Sequence, residues 1–153
     1  RLVGEDVTPV CAPSLVKGPN PLKKPIDLKR YTLLHIGSFP DDWQVWLTAA
    51  GVKGIDSSRG VSFDFALAAY QAAMDGLGVA LGRQPLVAPD LKAGRLVVPF
   101  DFKMATELAY YLVYPPAQDQ GVPRLVDAVG RTRPAHRLKR SSECGDTIIC
   151  IYR

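Results

Sequence analysis

An α/β fold with a mainly parallel sheet flanked by helices is predicted for this 153-residue chain. Three features predict it. Residues 65–74 are almost wholly apolar at helical length, and Val79-Ala80-Leu81 resumes as a buried strand after Gly76 and Gly78. Trp43, Trp46, Leu47 and Ala50 recur at i, i+3, i+4 and i+7, one stripe of an amphipathic helix. Short apolar runs alternate with these helical segments, the pattern of βαβ units with helices on both faces of one sheet.

Each element has a local reason. Val7–Cys11 reads as a strand, and Pro9 inside it suggests a sheet edge or a strand end, because proline donates nothing to a ladder. Pro13–Val16 reads as one helical turn. Pro25 suits the first position of a short helix running to Arg30. Tyr31–Ile36 is an apolar strand that ends at Gly37-Ser38-Phe39-Pro40. Asp41 and Asp42 are expected to open the tryptophan helix by capping its amides, and Gly51 closes it. Val61–Phe63 is a short strand ahead of the long apolar helix, which is so apolar that cover on most sides is expected. Gly76 suits a left-handed cap at its end. Pro89–Ala93 reads as a helical turn capped by Gly94, Arg95–Phe100 as a strand, and Leu108–Tyr114 as another, ended by Pro115-Pro116. Beyond Asp119 only Thr147–Tyr152 reads as a strand, and residues 119–153 are expected to be a basic, divergent tail, partly disordered.

Charge and composition exclude several functions. The formal net charge is +4, yet residues 1–120 carry 12 basic and 12 acidic side chains, and the excess lies beyond them. The body therefore has no overall footprint for nucleic acid. Cys11, Cys144 and Cys150 show no metal-ligand spacing and suit a reducing, cytoplasmic setting. His35 and His136 stand far apart, so no metal site and no cofactor are expected. No apolar run reaches the roughly 20 residues of a membrane span. Residue 1 is arginine, so the chain is expected to be part of a longer protein. Gly76-x-Gly78 lies between helix and strand, the wrong order for a dinucleotide loop. Ser38, His35 and Asp64 lack the context of a nucleophile elbow, so no enzyme is expected.

Seven segments in order carry a resemblance: EDVTPVCAPSL (5–15), DLKRYTLLHI (27–36), DDWQVWLTAAGV (41–52), RGVSFD (59–64), AYQAAMDGLGVALGRQPLV (69–87), LKAGRLVVPFD (91–101) and AYYLVYP (109–115). Together they resemble the effector-binding domain of LysR-type transcriptional regulators, in the subgroup typified by the glycine cleavage system activator and the β-lactamase regulator. The resemblance implies a periplasmic-binding-protein-like (type II) fold. Residues 1–103 would form its second subdomain, 104–118 a strand returning to the first, and 119–153 a tail that departs from the family pattern through a shifted reading frame or a divergent terminus. With most of the first subdomain missing, Leu108–Tyr114 is expected to be an exposed apolar edge. The resemblance further implies a small carboxylate or amino-acid-like effector as partner. DNA contact would come only through a helix-turn-helix outside this chain, and the full-length protein would be a dimer or tetramer. A periplasmic solute-binding protein, which shares the fold, is the alternative.

Ligands of open α/β sheets sit outside the carboxyl ends of the strands. That rule selects His35, Ile36, Gly37 and Ser38 after one strand, and Asp64, Phe65 and Ala66 at the start of the long helix, whose amides favour an anion. The resemblance adds Tyr110 and Tyr111, of which alternation lets at most one face a cleft. Each residue also has a plain structural role to weigh. Asp64 suits a helix cap, His35 a strand-end histidine with a hydrogen-bond partner, and Phe65 a core or rim-packing position. The resemblance places the residues just after Phe63 in the effector cleft, and because Phe65 and Ala66 carry no hydroxyl the serine contact to ligand that it implies is lost. Trp43 and Trp46 are expected to pack the helix and not to form a stacking platform, because acidic neighbours precede them.

Overall fold

A computed structural model describes residues 3–113 and 148–152, with side chains from Gly4 to Tyr110. The described residues fall into two compact units, one from Asp6 to Ala105 and one from those on either side of it. In chain order the strands are β1 (Val3–Val10), β2 (Leu33–Ile36), β3 (Val61–Phe63), β4 (Val79–Arg83), β5 (Met104–Val113) and β6 (Ile148–Tyr152). The α-helices are α1 (Pro13–Lys17), α2 (Asp42–Ala49), α3 (Ala66–Met74) and α4 (Ala88–Lys92), with a 3₁₀ helix over Pro25–Arg30. Among the described residues no helix is long and apolar enough to cross a membrane.

In the larger unit the strand order is β3-β2-β4-β1. Both β3 and β4 run parallel to β2, while β1 runs antiparallel to β4, so the sheet is mixed. β2-α2-β3 and β3-α3-β4 are the two crossover units read from the sequence. Two glycines make the parallel pairing possible. A Cβ on Gly60 would lie 1.9 Å from the Leu33 carbonyl oxygen, and Gly60 also holds φ +131°. A Cβ on Gly78 would lie 2.3 Å from the Thr32 carbonyl oxygen. Gly78 therefore serves close backbone approach, as the Val79 N–H to Thr32 O bond at 2.9 Å shows.

Alternation along the strands divides the interior into two cores. Leu33, Val79 and Leu81 point to one face, with Trp43, Trp46 and Leu47 of α2 over them. Leu34, Ile36 and Ala80 point to the other, with Ala69, Tyr70, Ala72 and Ala73 of α3. The tryptophans are core residues: both are fully buried, and Trp46 meets Trp43 at 6.0 Å, Phe102 at 5.5 Å and Phe100 at 6.1 Å between ring centroids. Gly76 caps α3 at φ +77°. The expected cover of α3 is one-sided, because Phe65 and Leu67 stay 75% and 72% exposed. Its alanines let the helix lie close to the sheet, and its outer face is left apolar.

Several other expectations change. Of the two places expected for Pro9 the strand end holds and the edge does not: it is next to last in β1, which has β4 on one side and, at Cys11, a bridge to Val97 on the other. The Cys11 N–H points to Val97, so by alternation the nitrogen of Pro9 also turns away from β4 and no β1–β4 bond is lost. Thr8 covers part of that side by donating its hydroxyl to the Phe102 carbonyl at 3.3 Å. Arg95–Phe100 is not a strand, since its regular pairing is that single bridge. Pro99 has no N–H to give a ladder.

In the smaller unit β5 pairs antiparallel with β6, from Ala109↔Tyr152 to Val113↔Ile148. Within the stretch expected to be a bare edge, Ala109–Val113 is covered by β6, while Tyr114 lies outside the described residues. The Thr106 hydroxyl lies 3.2 Å from the Glu5 carbonyl oxygen.

Neither Asp41 nor Asp42 caps α2, whose start has no side-chain cap. Asp42 instead forms an ion pair with Arg83, which is 1% exposed at the end of β4. The Arg83 guanidinium also stacks over Phe39 at 3.4 Å, and its backbone N–H donates to the Tyr70 hydroxyl at 3.1 Å. Burial pushes the Asp42 carboxyl up from its ordinary value while Arg83 pulls it back. The pair ties the loop after β2 to the end of β4. Asp42→Ala leaves a buried guanidinium without its carboxylate and is expected to cost about 3 kcal/mol in urea unfolding. Arg83→Met combined with Asp42→Leu is expected to recover most of that loss, since an apolar pair needs no desolvated charge; a double variant as weak as Asp42→Ala would show that the ionic link itself is required. Burial pushes the Cys11 thiol up to about 12, so thiolate is scarce. Iodoacetamide at pH 8 is expected to spare Cys11 in the folded chain and to label it once urea unfolds the chain, as read by peptide mass mapping.

Candidate functional site

The parallel strands β2 and β3 end side by side. The Gly37 N–H donates to the Phe63 carbonyl at 2.8 Å, which extends the pairing one residue past β2. A Cβ on Gly37 would lie 3.5 Å from that carbonyl and 3.9 Å from the Cα of Asp64, so the two post-strand loops are in contact distance. The sequence-selected residues His35, Ile36, Gly37 and Ser38 thus meet Asp64, Phe65 and Ala66 on one rim at the carboxyl ends of the strands.

Their surroundings differ. Gly37, Ser38, Asp64 and Phe65 are exposed, Ala66 and His35 are half-buried, and Ile36 is buried in the α3-side core. His35 has the expected hydrogen-bond partner, with Nε2 3.0 Å from the Arg59 carbonyl oxygen. That bond turns its ring toward β3's entry and away from the loop tip. Asp64 is not the helix cap: Phe65 holds the N-cap position, and no side chain caps the first turn. Phe65 is not in the core either, as its exposure shows. Ile36 serves packing. The open surface of the rim therefore consists of Gly37, Ser38, Asp64, Phe65 and the first amides of α3.

Tyr110 and Tyr111 lie on β5 in the smaller unit. Tyr110 is 5% exposed, and the Tyr111 side chain lies outside the described residues.

Two hollows occur in the larger unit away from this rim. One, of about 580 Å³, is lined by Gln71, Met74, Asp75, Asp90 and Arg95. Its polar groups satisfy one another: Arg95 pairs with Asp90, and Gln71 donates to Asp75 at 3.0 Å. The other, of about 360 Å³, is lined by Lys29, Arg30, Tyr31, Thr32, Arg59 and Gly60. Sequence reading did not find it. The clue was available in the basic run at 23–30, but Arg59 joins it only through the fold. Among the described residues no group of three His, Cys, Asp or Glu side chains is placed to hold a metal ion.

Comparison with known proteins agrees with this architecture. The profile of the family described as the LysR substrate binding domain matches residues 1–133. The Glycine cleavage system transcriptional activator of Escherichia coli (strain K12) is 40% identical over 113 residues, which cover 74% of this chain and 37% of that protein. The HTH-type transcriptional regulator TrpI of Pseudomonas aeruginosa is 35% identical over 103 residues, covering 67% of this chain and 35% of that one. The chain thus spans little more than a third of the length of these relatives. Among solved structures, the effector domain of the transcriptional regulator AmpR of Pseudomonas aeruginosa is 32% identical with a TM-score of 0.59, over 69% of this chain and 49% of that one. The AmpR effector binding domain from Citrobacter freundii shares the fold with a TM-score of 0.66 at 22% identity, over 84% of this chain and 65% of that one. The α/β architecture, the ordered motifs and these matches agree: the chain belongs to the LysR substrate-binding domain family.

Proposed function

We propose that this chain is the effector-sensing part of a LysR-type regulator and that it takes a small carboxylate or amino-acid-like metabolite at the β2–β3 rim. The observation that carries this reading is the alignment of two loops by the Gly37–Phe63 bond beside the start of α3. Three consequences follow from that geometry. The first amides of α3 have no side-chain cap, so they keep their preference for an anion. Ser38 supplies a hydroxyl at the rim, and Phe65 an exposed apolar surface for the body of the ligand. His35, Ile36 and Ala66 shape the rim from behind. Tyr110 and Tyr111 stay candidates on the family resemblance alone.

The remaining roles follow the same reading. Residues 1–103 act as the second effector-binding subdomain, 104–118 as the strand leading to the first, and 119–153 as a tail. The chain performs no reaction of its own, needs no cofactor, and works in the cytoplasm as part of a homo-oligomer. Effector binding biases the arrangement of the full-length protein, and a coupling of roughly 1–3 kcal/mol suffices to change its grip on DNA. Regulators among the relatives favour this reading over a periplasmic solute-binding protein.

A calorimetric screen of amino acids and small carboxylates tests the site. An effector found in this way is expected to bind Ser38→Leu and Phe65→Asp about tenfold more weakly, a loss of ~1.4 kcal/mol, with unchanged melting temperatures. Equal binding to both variants would move the effector away from the rim. The chain alone is expected to leave operator DNA unshifted in gels, because the proposed DNA contact lies elsewhere; a sequence-specific shift by these 153 residues would contradict that division of labour.

A further inference from the structure

The hollow at the entry of β2 and β3, at the opposite end of these strands from the rim, has a chemistry of its own. We propose that it is a second ligand site, for a small multivalent oxyanion of the phosphate type held by Lys29, Arg30 and Arg59.

Charge is concentrated there. Residues 1–120 are neutral in sum, yet residues 23–30 carry four cations and one carboxylate, and the fold adds Arg59 from 29 residues beyond Arg30. Arg59 is held in place without being neutralised. Its guanidinium donates to the backbone carbonyls of Lys29 and Tyr31, the latter at 3.1 Å, and carbonyls carry no net charge. Its own carbonyl is fixed by His35. Among the described residues neither Arg59 nor Lys29 has a carboxylate within ion-pair distance. Arg30 has one, Asp27 at 3.0 Å, but that carboxylate also accepts the Lys23 and Lys24 amides at 3.1 and 2.9 Å. Asp56, the acidic neighbour that feels Arg59, is engaged by the Ser58 hydroxyl and amide.

Shape and lining select the ligand class. At about 360 Å³ the hollow is at the small end of ligand sites. Its lining is more polar than apolar, with three cationic side chains against the single ring of Tyr31, whose hydroxyl is engaged by the Asn20 carbonyl. Gly60 cannot acquire a side chain without meeting the Leu33 carbonyl, so this part of the lining stays bare backbone. Arginine donors match the oxygens of a phosphate, and lysine adds a point charge. Exposed pairs are individually weak, so an anion with several charged oxygens gains where chloride does not. The other hollow, with Arg95 already paired to Asp90, lacks this surplus.

Amide NMR of the isotope-labelled chain, titrated with sodium phosphate and with sodium chloride at matched ionic strength, tests the site. Phosphate is expected to produce saturable shifts at 29–32 and 59–60, with a dissociation constant on the order of 1 mM, and chloride none. Lys29→Gln is expected to weaken phosphate three- to tenfold with an unchanged spectrum elsewhere, and Arg59→Lys to weaken it further by removing the fork. Shifts that rise linearly, or that are unchanged in Lys29→Gln, would mean an adventitious ion only and overturn the proposal. So would saturation at Gly37 and Ser38 in place of these amides, or a response to a random-sequence DNA duplex but not to phosphate.

Discussion

Close backbone contact on both sides of β2 is the constraint on which this fold rests. β3 and β4 each enter the sheet through a glycine, Gly60 and Gly78, and each glycine lies against the first carbonyls of β2, at Leu33 and Thr32. A side chain at either place would hold the strands apart at the point where their register is set. With the register fixed there, Leu34 pairs with Val61 on one side and Ala80 on the other. The far ends of the strands then have no freedom left: Ile36 must face Phe63, and the loops that follow must meet. The rim is a consequence of contacts made at the other end of the same strands.

Burial turns that register into stability. β4 is buried along all five residues, so each step of its alternation feeds one core or the other. Apolar burial of this kind is the main favourable term of folding, and it also decides where a charge is tolerated. Arg83 ends β4 in the interior, and the fold accepts its charge because Asp42 pairs with the guanidinium and Phe39 lies under it, while its backbone N–H donates to the Tyr70 hydroxyl. The loop bearing Phe39 is the loop bearing Gly37 and Ser38. One buried guanidinium therefore steadies the rim from beneath without reaching it.

Local pattern made most of the fold legible. The α2 stripe, the α3 stretch, the caps at Gly51, Gly76 and Gly94, and β2, β3 and β4 were readable because each rests on short-range periodicity or on glycine's access to positive φ. What failed depended on neighbours distant in sequence. Arg95–Phe100 has a strand's composition, but a strand exists only with a continuous partner. Asp42 looks like a cap until Arg83 arrives from 41 positions away. The apolar surface of α3 gave no sign of which side stays open, though Ala66, Ala69, Tyr70 and Ala73 at helical spacing mark the packed face. The rim itself was legible because it follows from strand direction. The cationic hollow was not, because Arg59 joins Lys29 and Arg30 only after β2 and β3 pair.

The same strand pair thus presents two chemically opposed ends. At one, an uncapped helix start, a hydroxyl and an exposed phenyl ring suit an anion with an organic body. At the other, three cations in a mainly polar lining suit a small oxyanion. His35 stands between them, a β2 residue whose ring N–H donates to the Arg59 carbonyl while its backbone is two residues from Gly37. The side chain that links β2 to the entry end is the His35 ring, which meets the 56–60 loop just ahead of β3. That loop is held by few contacts: the Ser58 bonds to Asp56, a Ser57 bond to Gln44, the His35 ring, and the Arg59 fork. The sheet is the frame that keeps the two ends apart.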